Sequence, residues 1–325
     1  MSEPISAQSF QVPASADGMR TRALMLGGVG ILLMVVGAVT NAEQFFRSYL
    51  LGFTVWTTVS LGCLGLLMVQ HLSGGAWGLM IRRVLEAAVR TLPLMALLFL
   101  VLGAGVGHVY EWSHADVVAK DPILQWKQPY LNTPFWIARG LIYFALWSLM
   151  GFLLARWSAA QDEGHSGQPL DPRFARLSGP GLVVFGLTVT LAGIDWLLSV
   201  DPHWFSTIYG FLTIAGSGLS ALTFVILMTN ALSKEQPLLQ EKHLHDLGKL
   251  TFAFVMLYAY LAFSQFLIIW SANLPEEIPW YLRRYQGSWQ FLFVFLVFGH
   301  FVVPFAILLS ATIKQNIGRL KFVAG

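Results

Sequence analysis

The chain has 325 residues, of which 56% are hydrophobic, 14% aromatic and only 11% charged, whereas a soluble domain carries roughly 25% charged residues. That balance excludes an ordinary soluble enzyme and points to a polytopic membrane protein, all-α in class. The net charge of +3 does not argue for nucleic acid, because surplus Lys and Arg in a membrane protein report topology and contact with anionic lipid.

The first twenty residues, MSEPISAQSFQVPASADGMR, are polar and lack the basic start and short apolar core of a signal peptide. We expect a disordered cytoplasmic tail over 1–22. Apolar runs of about 20 residues, the length a helix needs to cross the hydrocarbon core, then fall at roughly 23–41, 49–69, 91–109, 133–155, 179–199, 205–232, 249–271 and 287–312. The chain therefore reads as an integral membrane protein of about eight transmembrane helices. The first four form one group over 23–155 and the last four a second over 179–312, with a cytoplasmic linker at 156–178 and a tail at 313–325.

The connections alternate in charge. On the side shared by both termini lie Arg20, Arg22, Arg82, Arg83, Arg90, Arg156, Arg173, Arg176, Lys234, Lys242, Lys249, Lys314, Arg319 and Lys321. The opposite loops hold only Arg47, Lys120, Lys127, Arg283 and Arg284, and Arg139 falls within a span. This bias predicts both termini in the cytoplasm. The long outer loops, 110–132 and 272–286, carry Tyr110, Trp112, Trp126, Tyr130, Trp280 and Tyr281. These read either as an interfacial aromatic belt or as anchors for an extrinsic subunit, with Arg283 and Arg284 beside them.

Polar residues inside the spans are informative, because a lone carboxylate in an apolar helix costs a few kcal/mol without a partner or water. Asp195 sits near the outer end of the fifth span, which runs straight into Asp201, Pro202 and His203. Arg139, His108 and Gln265 are expected at a similar depth on three other helices. They imply either a polar pocket around Asp195 or a structural Asp–Arg pair, since charges in spans usually pair. A second group, His71, Glu86, Arg90, His243, His245, Asp246 and Lys249, is expected at the cytoplasmic end, where solvated interface charges are common. His300 lies midway along the eighth span. With Tyr258, Tyr260, Ser217 and Ser220 it reads either as a hydrogen-bonded core residue or as part of a polar path that Glu86, His71 and Asp246 would continue.

Several chemistries find no motif here. There is no phosphate-binding loop ending in GK[ST], no HExxH and no CxxCH. The single cysteine, Cys63, rules out an internal disulfide and a thiolate cluster, so no metal site is expected and any redox cofactor held by cysteine belongs to a partner. A b-type haem needs two facing His at one depth. Only His108 and His203 share the outer end, and His203 is in a loop.

Two long stretches carry a resemblance: FSQFLIIWSANLPEEIPWYLRR at 263–284 and DWLLSVDPHWFSTIYG at 195–210. Shorter pieces agree with them, RTLPLMALLF at 90–99, PYLNTPFW at 129–136, LSGPGL at 177–182 and HDLGKL at 245–250. Together they resemble the NrfD/polysulfide-reductase-like membrane subunits, and among these the second such subunit of bacterial alternative complex III, a quinol:electron-acceptor oxidoreductase. The resemblance implies a subunit without prosthetic groups in the bacterial inner membrane. Its partners would be a paralogous NrfD-like subunit, an extracytoplasmic iron–sulfur protein and multihaem cytochrome c subunits that hold the haem c and iron–sulfur clusters. It implies quinol oxidation near the outer face. It also implies ten helices and a longer C-terminal tail, where eight helices are read here.

Quinol oxidation releases two protons with two electrons, so such a site needs an apolar slot, a hydrogen-bond acceptor and a titratable group leading to water. Under that reading Asp195, His203 and Arg139 handle protons, and Trp196, Trp204, Phe205, Gln265 and His108 form a quinol pocket. A secondary transporter or proton channel with Asp195 as coupling site is the rival, against which stands the missing internal repeat. A purely structural membrane anchor is the third reading.

Overall fold

The computed structural model describes residues 14–163, 172–232 and 241–325. Among these residues all regular structure is helical. Eight helices are long and apolar enough to cross a membrane, which is the architecture of a multi-pass membrane protein: α1 (Asp17–Thr40), α2 (Ala42–Ser73), α3 (Met80–Ala104), α4 (Thr133–Gln161), α5 (Pro172–Val200), α6 (Tyr209–Leu232), α7 (Glu241–Ala272) and α8 (Trp289–Leu308). A short ninth helix, α9 (Ile317–Ala324), follows.

The spans sit where the apolar runs predict, but their polar ends extend further. Helical structure begins at Ala14, inside the stretch expected as tail, and residues 1–13 of that tail lie outside the described residues. The expected linker 156–178 is helical at both ends, and its residues 164–171 also lie outside. The third span shows the largest shift, starting well before residue 91 and ending at Ala104. Arg82 and Arg83, which mask this segment from a hydropathy reading, both pair with Glu86. Inside α3 the helix breaks at Arg90 and Thr91 and restarts at Leu92. Pro93 explains the break, because a proline ring lacks the N–H for a helical bond and clashes with the carbonyl four residues back. The Thr91 hydroxyl bonds Ala88 O at 2.6 Å and Ser60 Oγ on α2 at 2.9 Å.

Helix α2 is the central strut and packs against α3, α5 and α6. In a bilayer lipid tails are as apolar as leucine, so helices associate through close packing and interhelical hydrogen bonds. Both are present. Trp147 Nε1 donates to Thr188 Oγ1 across α4 and α5 at 2.8 Å, and Tyr49 Oη donates to Leu98 O across α2 and α3 at 2.8 Å. The core between α2, α3, α4 and α5 is aromatic. Trp196 stacks on Phe144 with centroids 5.6 Å apart, and Phe53, Phe99 and Trp147 ring it at 5.5 to 6.0 Å. A second, smaller cluster of Leu219, Ile226, Val255, Leu308 and Leu320 joins α6, α7, α8 and α9. Helix α6 thus belongs to both bodies, and the segment expected as a C-terminal tail is in part a packed helix. Helix α1 buries almost nothing, and α8 little, against the rest of the chain.

At Gly62 helix α2 approaches the backbone of α6 closely: a Cβ there would stand 1.8 Å from the backbone oxygen of Ser217. Gly62→Ala should therefore destabilise the fold by about 1–3 kcal/mol or more, because α2 and α6 must separate. Gly52→Ala on the same helix meets open space and should be neutral or stabilising by up to about 1 kcal/mol through helix propensity. Thermal unfolding in detergent reads both, and equal melting of the two variants would contradict the close approach.

Candidate functional site

Helix α4 places Trp136, Arg139 and Tyr143 on one face, since residues three and four apart are neighbours on a helix. That face meets the end of α5. The Arg139 guanidinium binds the Asp195 carboxylate in a fork, Nε to Oδ2 at 2.9 Å and Nη2 to Oδ1 at 2.8 Å. Asp195 has no exposed surface and Arg139 is 7% exposed. Tyr143 Oη donates to Asp195 Oδ2 at 3.0 Å, and Arg139 Nη1 donates to Tyr130 O at 2.8 Å. The guanidinium also lies over the Tyr130 ring at 3.8 Å and the Phe135 ring at 4.5 Å. Burial, with the charge of Asp195 added, pushes the Tyr130 phenol up to about 12, so it presents a neutral ring to the cation.

The backbone around Asp195 is held equally firmly. Asp195 O accepts from Trp136 Nε1 at 2.7 Å and from Ser199 Oγ. Tyr110 Oη donates to Trp196 O at 2.9 Å, and Trp112 Nε1 donates to Ser199 O at 3.2 Å. Forked Arg–carboxylate geometry, with both carboxylate oxygens accepting hydrogen bonds, is the arrangement in which a buried ion pair offsets its desolvation.

Beyond α5 the loop Asp201–Trp204 ties the connections of this end together. Asp201 pairs with Arg283, and His203 with Asp121. Pro202 O accepts from Lys127 Nζ at 2.6 Å, and Trp204 stacks on Trp280 with centroids 4.5 Å apart. Next to it Ser206 Oγ donates to Gln265 Oε1 at 2.8 Å, and Gln265 Nε2 donates to Tyr281 Oη at 3.3 Å. Arg284 covers the Trp280 ring at 3.4 Å. The Trp204 Nε1 atom is buried and has no hydrogen-bond partner, in a cluster otherwise satisfied.

The sequence-predicted site residues thus divide. Asp195 and Arg139 come together as a pair. Gln265 and Trp204 belong to the neighbouring loop cluster, and Phe205 is half exposed beside it. Trp196 lies in the aromatic core, away from Trp204. His108 stacks on Phe46 at 5.2 Å and lines a separate surface groove of about 300 Å³ with Glu43, Arg47, Glu111 and His114. Those five residues do not surround one ring-sized slot.

At the opposite end Glu86 binds Arg82 Nε at 2.9 Å and Arg83 Nη1 at 2.7 Å. Arg83 also reaches Ser158 Oγ at 2.8 Å on α4. His71 and Arg82 both lie against the Phe174 ring, at 4.5 and 4.8 Å, and neither ring nitrogen of His71 has a partner. Asp246 pairs with Lys249 at 3.5 Å. Tyr258 meets His300 at 5.4 Å, where α8 opens into a π-helical turn at Phe298–Val302. These are separate local groups, one joining α2, α3, α4 and α5, one within α7 alone, and one between α7 and α8.

Sequence reading missed Tyr130, Tyr143 and Trp136 as partners of the ion pair, and Asp121 and Lys127 as partners of the loop. The spacing of Trp136 and Tyr143 around Arg139 was the available signal for the first set; pairs separated by some eighty residues gave none. No protein-family model matches the chain, and no curated protein matches it.

Asp195→Asn leaves the Arg139 charge buried and uncompensated, so it should destabilise the protein by about 3–5 kcal/mol. His203→Asn, which breaks a surface pair, should change stability by at most about 1 kcal/mol. Unfolding curves of the two variants test the contrast. Burial raises the Asp121 carboxyl, but the His203 bond and the Leu124 and Ile123 N–H groups outweigh it, and the carboxyl is held below its ordinary value. The contribution of those bonds is therefore complete above the ordinary carboxylate range near about pH 4 and fades as pH falls below it. Asp121→Asn should remove that acid step from the pH dependence of unfolding, and an unchanged profile would contradict the assignment.

Proposed function

We propose that this chain is a membrane subunit of a quinol:electron-acceptor oxidoreductase, and more particularly the second NrfD-like membrane subunit of an alternative complex III in a bacterial cytoplasmic membrane. The observation that carries the reading joins sequence and structure. The two stretches that resemble that family, 195–210 and 263–284, pack on each other through Asp201 and Arg283, Trp204 and Trp280, and Ser206 and Gln265. Residues that look like a family signature thus build one interlocked end of the bundle.

In this proposal that end faces the extracytoplasmic side and receives the iron–sulfur and cytochrome c partners, which carry the electrons. Exposed Trp126, Phe205 and Leu282, with Arg283 and Arg284 beside them, have the composition of interface anchors. Quinol, when bound, supplies two electrons and two protons. The buried indole N–H of Trp204, without a partner, is a donor for a quinol oxygen, and the His203–Asp121 pair at the surface is the titratable group nearest to water on this loop. Asp195 is better placed to hold α4, α5 and the 110–132 loop in register than to pass protons, because Arg139 and Tyr143 occupy its carboxylate oxygens. That full occupancy also favours a second reading, a structural anchor with no quinol contact of its own.

Purification of the tagged full chain in mild detergent should bring down partners with a c-type haem spectrum and an iron–sulfur protein. A colourless, solitary protein, under conditions that keep other respiratory complexes intact, would overturn the proposal. In the assembled complex Trp204→Phe keeps the ring stack and deletes the donor, so quinol KM should rise severalfold while the partners remain bound. Unchanged KM with intact assembly would leave the anchor reading.

A further inference from the structure

A groove of about 540 Å³ opens between α3 and α4, lined by Val89, Arg90, Pro93, Phe152, Ala155 and Arg156, with Ser148, Ala159 and Ala160 completing it. The residues on α4 recur at 148, 152, 155, 156, 159 and 160, one face of the helix. The alanines at 155, 159 and 160 leave room that longer side chains would fill. The Arg90 and Arg156 side chains are exposed, and among the described residues neither has an ion-pair or hydrogen-bond partner of its own. They contrast with Arg82 and Arg83, about two turns before Arg90, which both pair with Glu86. The groove also receives the break in α3. The 13-residue helix Leu92–Ala104 starts there, and the free N–H groups of a helix start carry partial positive charge.

Two unpaired guanidiniums at the rim of an apolar trough, on helices long enough to span a bilayer, need an anion with an apolar body. We infer that this groove binds an anionic phospholipid, its phosphate held by Arg90 and Arg156 and an acyl chain lying along Val89, Pro93, Phe152 and Ala155. A guanidinium fork matches phosphate geometry, and basic pockets between membrane helices suit acidic headgroups. Neutral lipid would meet the same apolar wall without the charge term. Soluble phosphate would meet the charges without the wall.

Native mass spectrometry of the full chain in detergent tests this, with phosphatidylglycerol, phosphatidylcholine and inorganic phosphate as probes. The wild-type chain should retain phosphatidylglycerol about tenfold or more better than phosphatidylcholine, in line with roughly one tenfold step for each one or two basic contacts. R90Q/R156Q should lose that preference, and R90K/R156K should recover part of it. Ala160→Trp, which fills the trough and leaves both charges, should weaken retention of phosphatidylglycerol and keeps the test valid if the double variant misfolds. Equal retention of both lipids by the wild type, phosphatidylglycerol retention unchanged in R90Q/R156Q or in Ala160→Trp, or full displacement by inorganic phosphate would each overturn the inference.

Discussion

A carboxylate with no exposed surface keeps its charge only if it meets a cation inside the protein, and Asp195 meets Arg139. Much of one end of the molecule follows from that requirement. To bring the fork into register, α4 must present residue 139 to the last full turn of α5. The same alignment lets Trp136 bond the Asp195 carbonyl and Tyr143 the carboxylate. With α5 fixed there, its exit is fixed too, so Asp201, Pro202, His203 and Trp204 emerge where Arg283, Lys127, Asp121 and Trp280 reach them. The loops of this end are linked through one short segment rather than through contacts spread over all of them.

The opposite end solves a similar problem with the reverse balance. There Glu86 is nearly buried and answers two arginines, Arg82 and Arg83, whereas Arg90 and Arg156 stand at the surface with no carboxylate partner among the described residues. One set of charges closes the gap between α3 and α4, and the other faces outward toward whatever surrounds the bundle. Between the two ends, close backbone approach at Gly62 and a cage of aromatic rings around Trp196 hold α2 against its neighbours. Both ends thus attach to a rigid middle, and the loop cluster rests on a defined platform.

Much of this was legible in the residues themselves, for physical reasons that differ by feature. Span number follows from the length a helix needs to cross a bilayer, and all eight apolar runs appear as helices. Helix ends did not follow, because hydropathy counts Arg82, Arg83 and Glu86 as polar although both arginines pair with Glu86 within a single helix. The Asp195–Arg139 pair was legible as one alternative, since buried charges in spans pair. The expected convergence of His108 and Gln265 on it was not met. Depth along a helix fixes one coordinate, while the direction a residue faces depends on helix rotation. His108 turns to Phe46 and Gln265 to Ser206 and Tyr281. The loop pairs were invisible, because nothing in a linear sequence links Asp121 to His203.

The central claim is that Asp195 and Arg139 act as one structural unit. A double-mutant cycle with Arg139→Met, Asp195→Leu and the pair together measures it directly by unfolding of the detergent-solubilised protein. Each single change strands a buried charge, and the double change strands none, so the double variant should be more stable than either single by about 2 kcal/mol or more. Losses that simply add would show that the two side chains contribute independently and would contradict the account.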